Sequence, residues 1–85
     1  MPYKLVILPI AEKELKKLPL HEFLKVDAKI QNLSENARPN GYKKLRGLDN
    51  TFRIRSGDYR IVYTIEDNRL IIEIIKIGHR KDIYK

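Results

Sequence analysis

The spacing of apolar side chains changes once along this chain, at Gly41, and that change limits the folds open to it. Before Gly41 apolar residues recur every three or four positions, as from Leu15 to Leu18 and from Val26 to Ile30, which is the period of an amphipathic helix. After Gly41 they alternate with polar residues, which is the period of a strand. This order predicts an α+β domain in which helices cover one face of a small, mainly antiparallel sheet.

Proline, glycine and paired turn residues divide the two halves into elements. Pro19 separates two helices, Gly57-Asp58 and Asp67-Asn68 form tight turns, and Gly78 is expected to break the last strand. The predicted elements are a strand over 3–8, helices over 11–18 and 23–35, a short strand candidate over 42–45, and strands over 51–56, 59–66 and 69–77.

The length of 85 residues and the absence of cysteine predict one domain, 1–85, that folds without disulfides. A chain this short spends most of its apolar residues on its own core, so chemistry is expected on an open face that a large substrate can reach. Charged residues follow the first apolar run and interrupt the last one, which argues against a signal peptide and a membrane span. Absence of cysteine fits the cytoplasm, where we expect this protein.

The formal net charge of +7 favours an anionic partner. Six of the seven arginines lie in residues 39–85, and the planar guanidinium suits phosphate oxygens. The second half of the chain is therefore the predicted binding half.

Alternation along the predicted strands places several of these arginines on one face. If Tyr59 and Ile61 face the helices, then Arg53, Arg55 and Arg60 converge on the opposite, open basic face. Together with Arg80, and with Lys43, Lys44 and Arg46, they could bind a phosphodiester backbone. A solvated sheet face is the alternative interpretation.

The second candidate group is the end of the chain, where His79, Arg80 and Tyr84 combine an imidazole, a guanidinium and a phenol. These groups suit RNA cleavage, although His79 could equally hydrogen-bond within the end of the strand and Tyr84 could anchor the tail. The acidic residues and the two histidines show no spacing that gathers metal ligands, and no phosphate-binding glycine loop is present. We therefore expect neither a metal nor a cofactor.

A phosphodiester enzyme without metal or paired carboxylates has one simple option, because RNA supplies its own nucleophile. The 2′-hydroxyl attacks the adjacent phosphorus, and the protein orients it, offsets the charge on phosphorus and protonates the leaving oxygen. DNA lacks this hydroxyl, so such a site would act on RNA.

Four blocks of the second half resemble the RelE/ParE toxin superfamily, and its RelE branch in particular. They are Lys43-Lys44-Leu45-Arg46-Gly47-Leu48, Phe52-Arg53-Ile54-Arg55, Tyr59-Arg60-Ile61-Val62-Tyr63, and Ile77-Gly78-His79-Arg80 through Tyr84. The resemblance covers nearly the whole chain. It implies the toxin of a type II toxin-antitoxin pair: a ribosome-dependent endoribonuclease that cuts mRNA in the ribosomal A site and is silenced by a RelB-like antitoxin.

The resemblance also implies an active site. Its positions fall here on Arg53, Arg55, Arg60, Arg80 and Tyr84, with His79 as an alternative acid or base and Lys43, Lys44, Arg46 and Lys81 as RNA or ribosome contacts. Relatives often carry lysines where this chain has Arg53 and Arg55, and an arginine cannot act as a general base. The hypothesis is that Tyr84 orients or deprotonates the 2′-hydroxyl while arginines stabilise the phosphorane.

Two other functions share this fold. A ParE-like toxin would inhibit DNA gyrase by binding and would need no arginine cluster. A degenerate toxin would act only as the antitoxin's partner, in a complex that binds operator DNA through the antitoxin.

Overall fold

Two prolines set the starts of the helices. In the computed structural model, which describes residues 2–79, Pro9 occupies the first turn of α1 (Pro9–Lys16). Pro19 directly precedes α2 (Leu20–Leu33). Proline is favoured at the position of Pro9 because its fixed φ suits the first turn of a helix and its missing N–H would have no partner within the helix. At 14 residues, α2 is the longer of the two, and neither helix in this range is long and apolar enough to cross a membrane.

Five strands form one sheet in the order β1-β5-β4-β3-β2. Their bounds are β1 Lys4–Ile7, β2 Lys43–Lys44, β3 Thr51–Ser56, β4 Tyr59–Glu66 and β5 Ile71–His79. β1 runs parallel to β5, and all other neighbours are antiparallel. The helices between β1 and β2 carry the chain across the sheet, which makes the parallel pairing possible.

The core lies between the helices and one face of this sheet. Its residues are Ala11, Leu15, Val26, Ile30, Leu33, Ala37, Ile54, Ile61, Tyr63, Ile65, Ile72, Ile74 and Ile77. The helical members recur at helical spacing and the members from β3 and β4 alternate, so the predicted α+β arrangement is confirmed.

A β-bulge interrupts the pairing of β4 with β5. Val62 pairs with Lys76 and Tyr63 with Ile74, which leaves Ile75 as an extra residue. Strict alternation would place Ile74 and Ile77 on opposite faces, because they are three residues apart. The extra residue restores both to the core, where each is almost fully buried.

Two predicted strand ends were wrong, and the prediction for β2 was too long. Gly78 does not break the last strand, which continues to His79 because both residues pair with β4. β5 starts at Ile71 and not at residue 69, since Leu70 adopts a left-handed φ of 53° in the turn. β2 has only two residues because it lies between two turns: the N–H of Tyr42 donates to the carbonyl oxygen of Pro39 before it, and Arg46-Gly47 form a turn after it.

Candidate nucleic-acid interface

The centre of the site is a pair of arginines on adjacent strands. Arg55 of β3 pairs in register with Arg60 of β4, and Arg60 pairs with Gly78 of β5. Directly paired residues of antiparallel strands project from the same face, with Cβ atoms about 5 Å apart. Two like charges at this separation destabilise a sheet, and an anion bound between them would relieve the repulsion.

A second row of basic residues lies next to this pair on the same face. Arg53 pairs with Lys43 on one side and with Val62 on the other, and Val62 pairs in turn with Lys76. We call the resulting surface the basic face. It consists of Lys43, Arg53, Arg55, Arg60 and Lys76. Five cations on one sheet face create a positive potential of the kind that attracts polyanions.

The members of the basic face differ in exposure. Arg55 is exposed and Arg53 is half-buried, whereas Arg60 is only 2% exposed. Arg60 sits on the central strand, opposite a glycine that has no side chain to compete for the space. A guanidinium held in low-dielectric surroundings interacts more strongly with a phosphate than one in bulk water does. The basic face therefore combines one buried cation, Arg60, with more accessible cations around it.

Not every predicted residue joins this face. Lys44 pairs with Phe52, which packs against the core, so Lys44 lies on the other side of the edge strand, and Arg46 lies in the loop that follows. Arg80, Lys81 and Tyr84 are outside the described residues.

His79 lies on the helix side of the sheet, away from the arginines. It pairs with Tyr59, and the two rings meet edge to face with centroids 5.6 Å apart. The sheet itself separates His79 from Arg60, so this geometry does not favour His79 as an acid or base for chemistry on the basic face. The bulge decides this outcome, because it changes which residues of β5 face the helices.

A groove of about 310 Å³ adjoins His79 on this helix side. Its lining includes the other histidine, His21, together with Glu22, Lys25 and Asp58. Within residues 2–79 no group of three or more His, Cys, Asp or Glu side chains could hold a metal ion.

Two residues of this region were missed by the sequence analysis. Lys76 reaches the basic face through the bulge, and the three-residue step from Ile74 to Ile77 was the signal for it. Glu14 of α1 accepts a hydrogen bond from the backbone N–H of Ile77 and carried no signal, since its spacing is that of an ordinary solvent-facing helix residue.

The groups with shifted pKa values lie near the β4–β5 turn, at the end of the sheet away from Arg55 and Arg60. Burial raises the pKa of Tyr63 to about 12, and its phenol donates to the carbonyl oxygen of Ala37 at 2.9 Å. A hydrogen bond from Arg38, followed by one from Tyr3, lowers the pKa of the exposed Asp67. The same contact with Asp67 raises the pKa of Tyr3.

The fold is shared with toxins of type II toxin-antitoxin systems. Residues 5–84 match the family model described as the ParE toxin of the type II toxin-antitoxin system parDE. The RelE–RelB complex of Pyrococcus horikoshii contains a chain that superposes with a TM-score of 0.83 at 27% identity, covering 94% of this chain and 97% of that one.

A sequence match and a structure match from Mycobacterium tuberculosis extend the comparison. Toxin RelG of Mycobacterium tuberculosis is 34% identical over 86 residues, covering 100% of this chain and 99% of the relative. A chain of the RelBE2 toxin-antitoxin complex of the same organism is 32% identical with a TM-score of 0.81, covering 94% of this chain and 100% of that one. The chain therefore belongs to the RelE/ParE family of type II toxins, as its sequence predicted, and its relatives are RelE-type toxins.

Proposed function

We propose that this toxin is a ribosome-dependent endoribonuclease that cleaves mRNA in the ribosomal A site and so inhibits translation. The observation that carries the proposal is the pairing of the exposed Arg55 with the buried Arg60, with Arg53 and Lys43 beside them on the same sheet face. Such a face can bind a phosphodiester backbone that a narrow pocket would exclude.

In the proposed mechanism the RNA supplies the nucleophile. Attack of the 2′-hydroxyl on the adjacent phosphorus places extra negative charge on the phosphorane oxygens, which Arg60 and Arg55 offset. The bond from phosphorus to the 5′-oxygen of the next nucleotide then breaks, and that oxygen leaves with a proton from the site or from water. Neither arginine gives up its proton, so the base must come from elsewhere. We assign that role to Tyr84, with Arg80 as a further phosphate ligand. No divalent metal ion is needed for these steps.

We also propose a RelB-like antitoxin as the physiological partner. The relatives from P. horikoshii and M. tuberculosis are seen in toxin-antitoxin complexes. An antitoxin segment with acidic residues would complement the net charge of +7 and cover the basic face. The complex would bind operator DNA through the antitoxin, and the free toxin would act in the cytoplasm, where ribosomes are.

The alternative is inhibition of DNA gyrase, since the matching family model is described as a ParE toxin. A toxin that only binds gyrase has no use for two adjacent arginines aimed at phosphate. A supercoiling assay separates the two functions, because gyrase inhibition would leave mRNA intact.

The deciding experiment adds the purified chain to ribosomes programmed with a defined mRNA and maps the new 5′ ends by primer extension. We expect cuts confined to the A-site codon, and no cuts in free mRNA. Arg80→Ala should abolish them and Tyr84→Phe should weaken them while ribosome binding persists. If the wild-type chain leaves mRNA intact and inhibits gyrase in the supercoiling assay, the alternative function is established.

A further inference from the structure

Among residues 2–79, the end of β5 that borders the basic face has no neighbouring strand on its outer edge. β1 ends at Ile7, and its last backbone contact is the N–H of Leu8 donating to the carbonyl oxygen of Ile74 at 3.0 Å. Within the described residues, 76–79 therefore pair with β4 alone. An edge of this kind leaves backbone donors without strand partners and lets the strand end move.

Glu14 takes the place of the missing strand at this point. Its Oε1 accepts a hydrogen bond from the N–H of Ile77 at 3.0 Å, and its Oε2 lies 3.7 Å from Nζ of Lys76. The Glu14 side chain is only 28% exposed. A charged acceptor on a backbone N–H gives a stronger bond than a neutral one, and partial burial limits competition from water.

The helix that carries Glu14 is itself fixed. Ala11 and Leu15 of α1 are buried in the core, on either side of Glu14 in sequence. Glu14 is therefore anchored at its backbone and reaches outward to the strand edge. Glu14 therefore connects the core to β5. Glu12, on the solvent-facing side of the same helix, makes no such connection and pairs with Lys16 of its own helix at 3.2 Å.

The strand end held by Glu14 forms one side of the arginine site. Gly78, the residue after Ile77, lies directly opposite Arg60. The chain then continues through His79 into Arg80. A displacement of this strand end would move both the space beside Arg60 and the start of the segment that carries Arg80.

We propose that Glu14 is a positioning residue for the phosphate site: by holding the N–H of Ile77 it fixes the end of β5 against Arg60. This inference rests on the proposed ribonuclease function for its catalytic consequence. Glu14 does not touch the RNA in this scheme. Because small misplacements of catalytic groups slow a reaction strongly, we expect loss of the contact to slow cleavage by about 10- to 100-fold.

The test compares three substitutions that separate the hydrogen bond from the charge. E14Q keeps an oxygen acceptor and loses the charge, E14A loses both, and E14D keeps the charge on a side chain too short to reach. Glu12→Ala removes a carboxylate from the same helix and is the matched control. We expect E14A and E14D to cleave A-site mRNA about 10-fold or more slowly, and E14Q to stay within about 3-fold of wild type, at saturating ribosomes.

Two NMR measurements on the toxin alone accompany the cleavage assay. The amide of Ile77 should exchange faster in E14A and E14D and stay protected in E14Q and in the Glu12→Ala control. The Nε–H signal of Arg60 should move in the same two variants only. E14D provides the test if E14A folds poorly.

Three results would overturn the inference. The first is equal loss of cleavage in E14Q and E14A, which would assign the effect to charge. The second is wild-type cleavage with an exposed Ile77 amide, and the third is an unchanged Arg60 signal in E14A. Failure of the wild-type chain to cleave would instead refute the ribonuclease function, while the two NMR signals would still decide whether Glu14 positions the site.

Discussion

The two ends of the sheet are built from opposite electrostatic arrangements. At one end, which we call the clasped end, Tyr3 donates to Asp67 at 2.5 Å and Arg38 binds the same carboxylate through both of its terminal nitrogens, at 3.3 and 2.9 Å. The guanidinium of Arg38 also lies 5.9 Å from the centre of the Phe52 ring. Here opposite charges meet, and they tie together the start of β1, the β4–β5 turn and the loop after α2.

At the other end, which carries the arginine site, like charges are paired. Arg55 and Arg60 lie side by side, and the strand edges on either side are held by single side chains from the helices. Lys29 donates to the carbonyl oxygen of Arg55 at 2.8 Å, and Glu14 accepts from Ile77. The comparison shows that one end of the sheet joins opposite charges, whereas the other brings two like charges together on neighbouring strands.

Removing the central cation should have the largest effect. We expect Arg60→Ala to slow A-site cleavage by about 100- to 1,000-fold, the range found when one charge-stabilising donor is lost from an active site. Single-turnover primer extension on programmed ribosomes measures this loss. A circular dichroism melt is the control, since a variant that remains folded but inactive places the effect in the site. Cleavage within a few-fold of wild type would contradict the assignment.

A single substitution at the clasped end, in contrast to Arg60→Ala, should lower stability and leave activity intact. Tyr63→Phe removes the phenol that donates to Ala37 and leaves a buried carbonyl oxygen without that partner. We expect the free energy of unfolding to fall by about 1 to 2 kcal/mol in urea titrations. Cleavage per folded molecule should not change; a large loss of activity would show that the two ends are coupled.

Alkaline pH should weaken the clasped end through the same phenol. The pKa of Tyr63 is raised to about 12 in the folded state, against about 10 in an unfolded chain. The unfolded chain therefore loses this proton first, and the stabilisation that is complete below about pH 10 is lost as pH rises toward 12. Urea titrations at pH 9 and pH 11 should show a steeper decline for wild type than for Tyr63→Phe. Parallel declines would contradict the burial of this phenol.

The smallest effect should appear in acid. Because Arg38 and Tyr3 lower the pKa of Asp67, its contribution to stability is present above about pH 4, the value for an unfolded aspartate, and is lost as pH falls through the lowered pKa. Asp67 is exposed, so screening keeps the effect small. Thermal melts from pH 6 to pH 2 should show a slightly shallower dependence for Asp67→Asn than for wild type, with cleavage at neutral pH unchanged.

Much of the fold followed from local patterns in the sequence. The change of apolar period at Gly41 separated helices from strands, and alternation by itself placed Arg53, Arg55 and Arg60 on one face. This succeeded because period and side-chain direction are properties of the backbone itself. The position of His79 could not be predicted in this way, since one extra residue in β5 reverses the alternation beyond it.

The sequence by itself determined the α+β class, the concentration of arginines in the second half, the convergence of three of them on one face and the family. Only the tertiary structure decided that Arg60 is the buried member, that Lys76 joins the face while Lys44 and His79 leave it, and that Glu14 holds the free edge of β5. The physical reason is the separation along the sequence over which each effect acts. Periodicity acts between residues a few positions apart, whereas burial, bulges and a contact between residues 14 and 77 depend on which elements pack together.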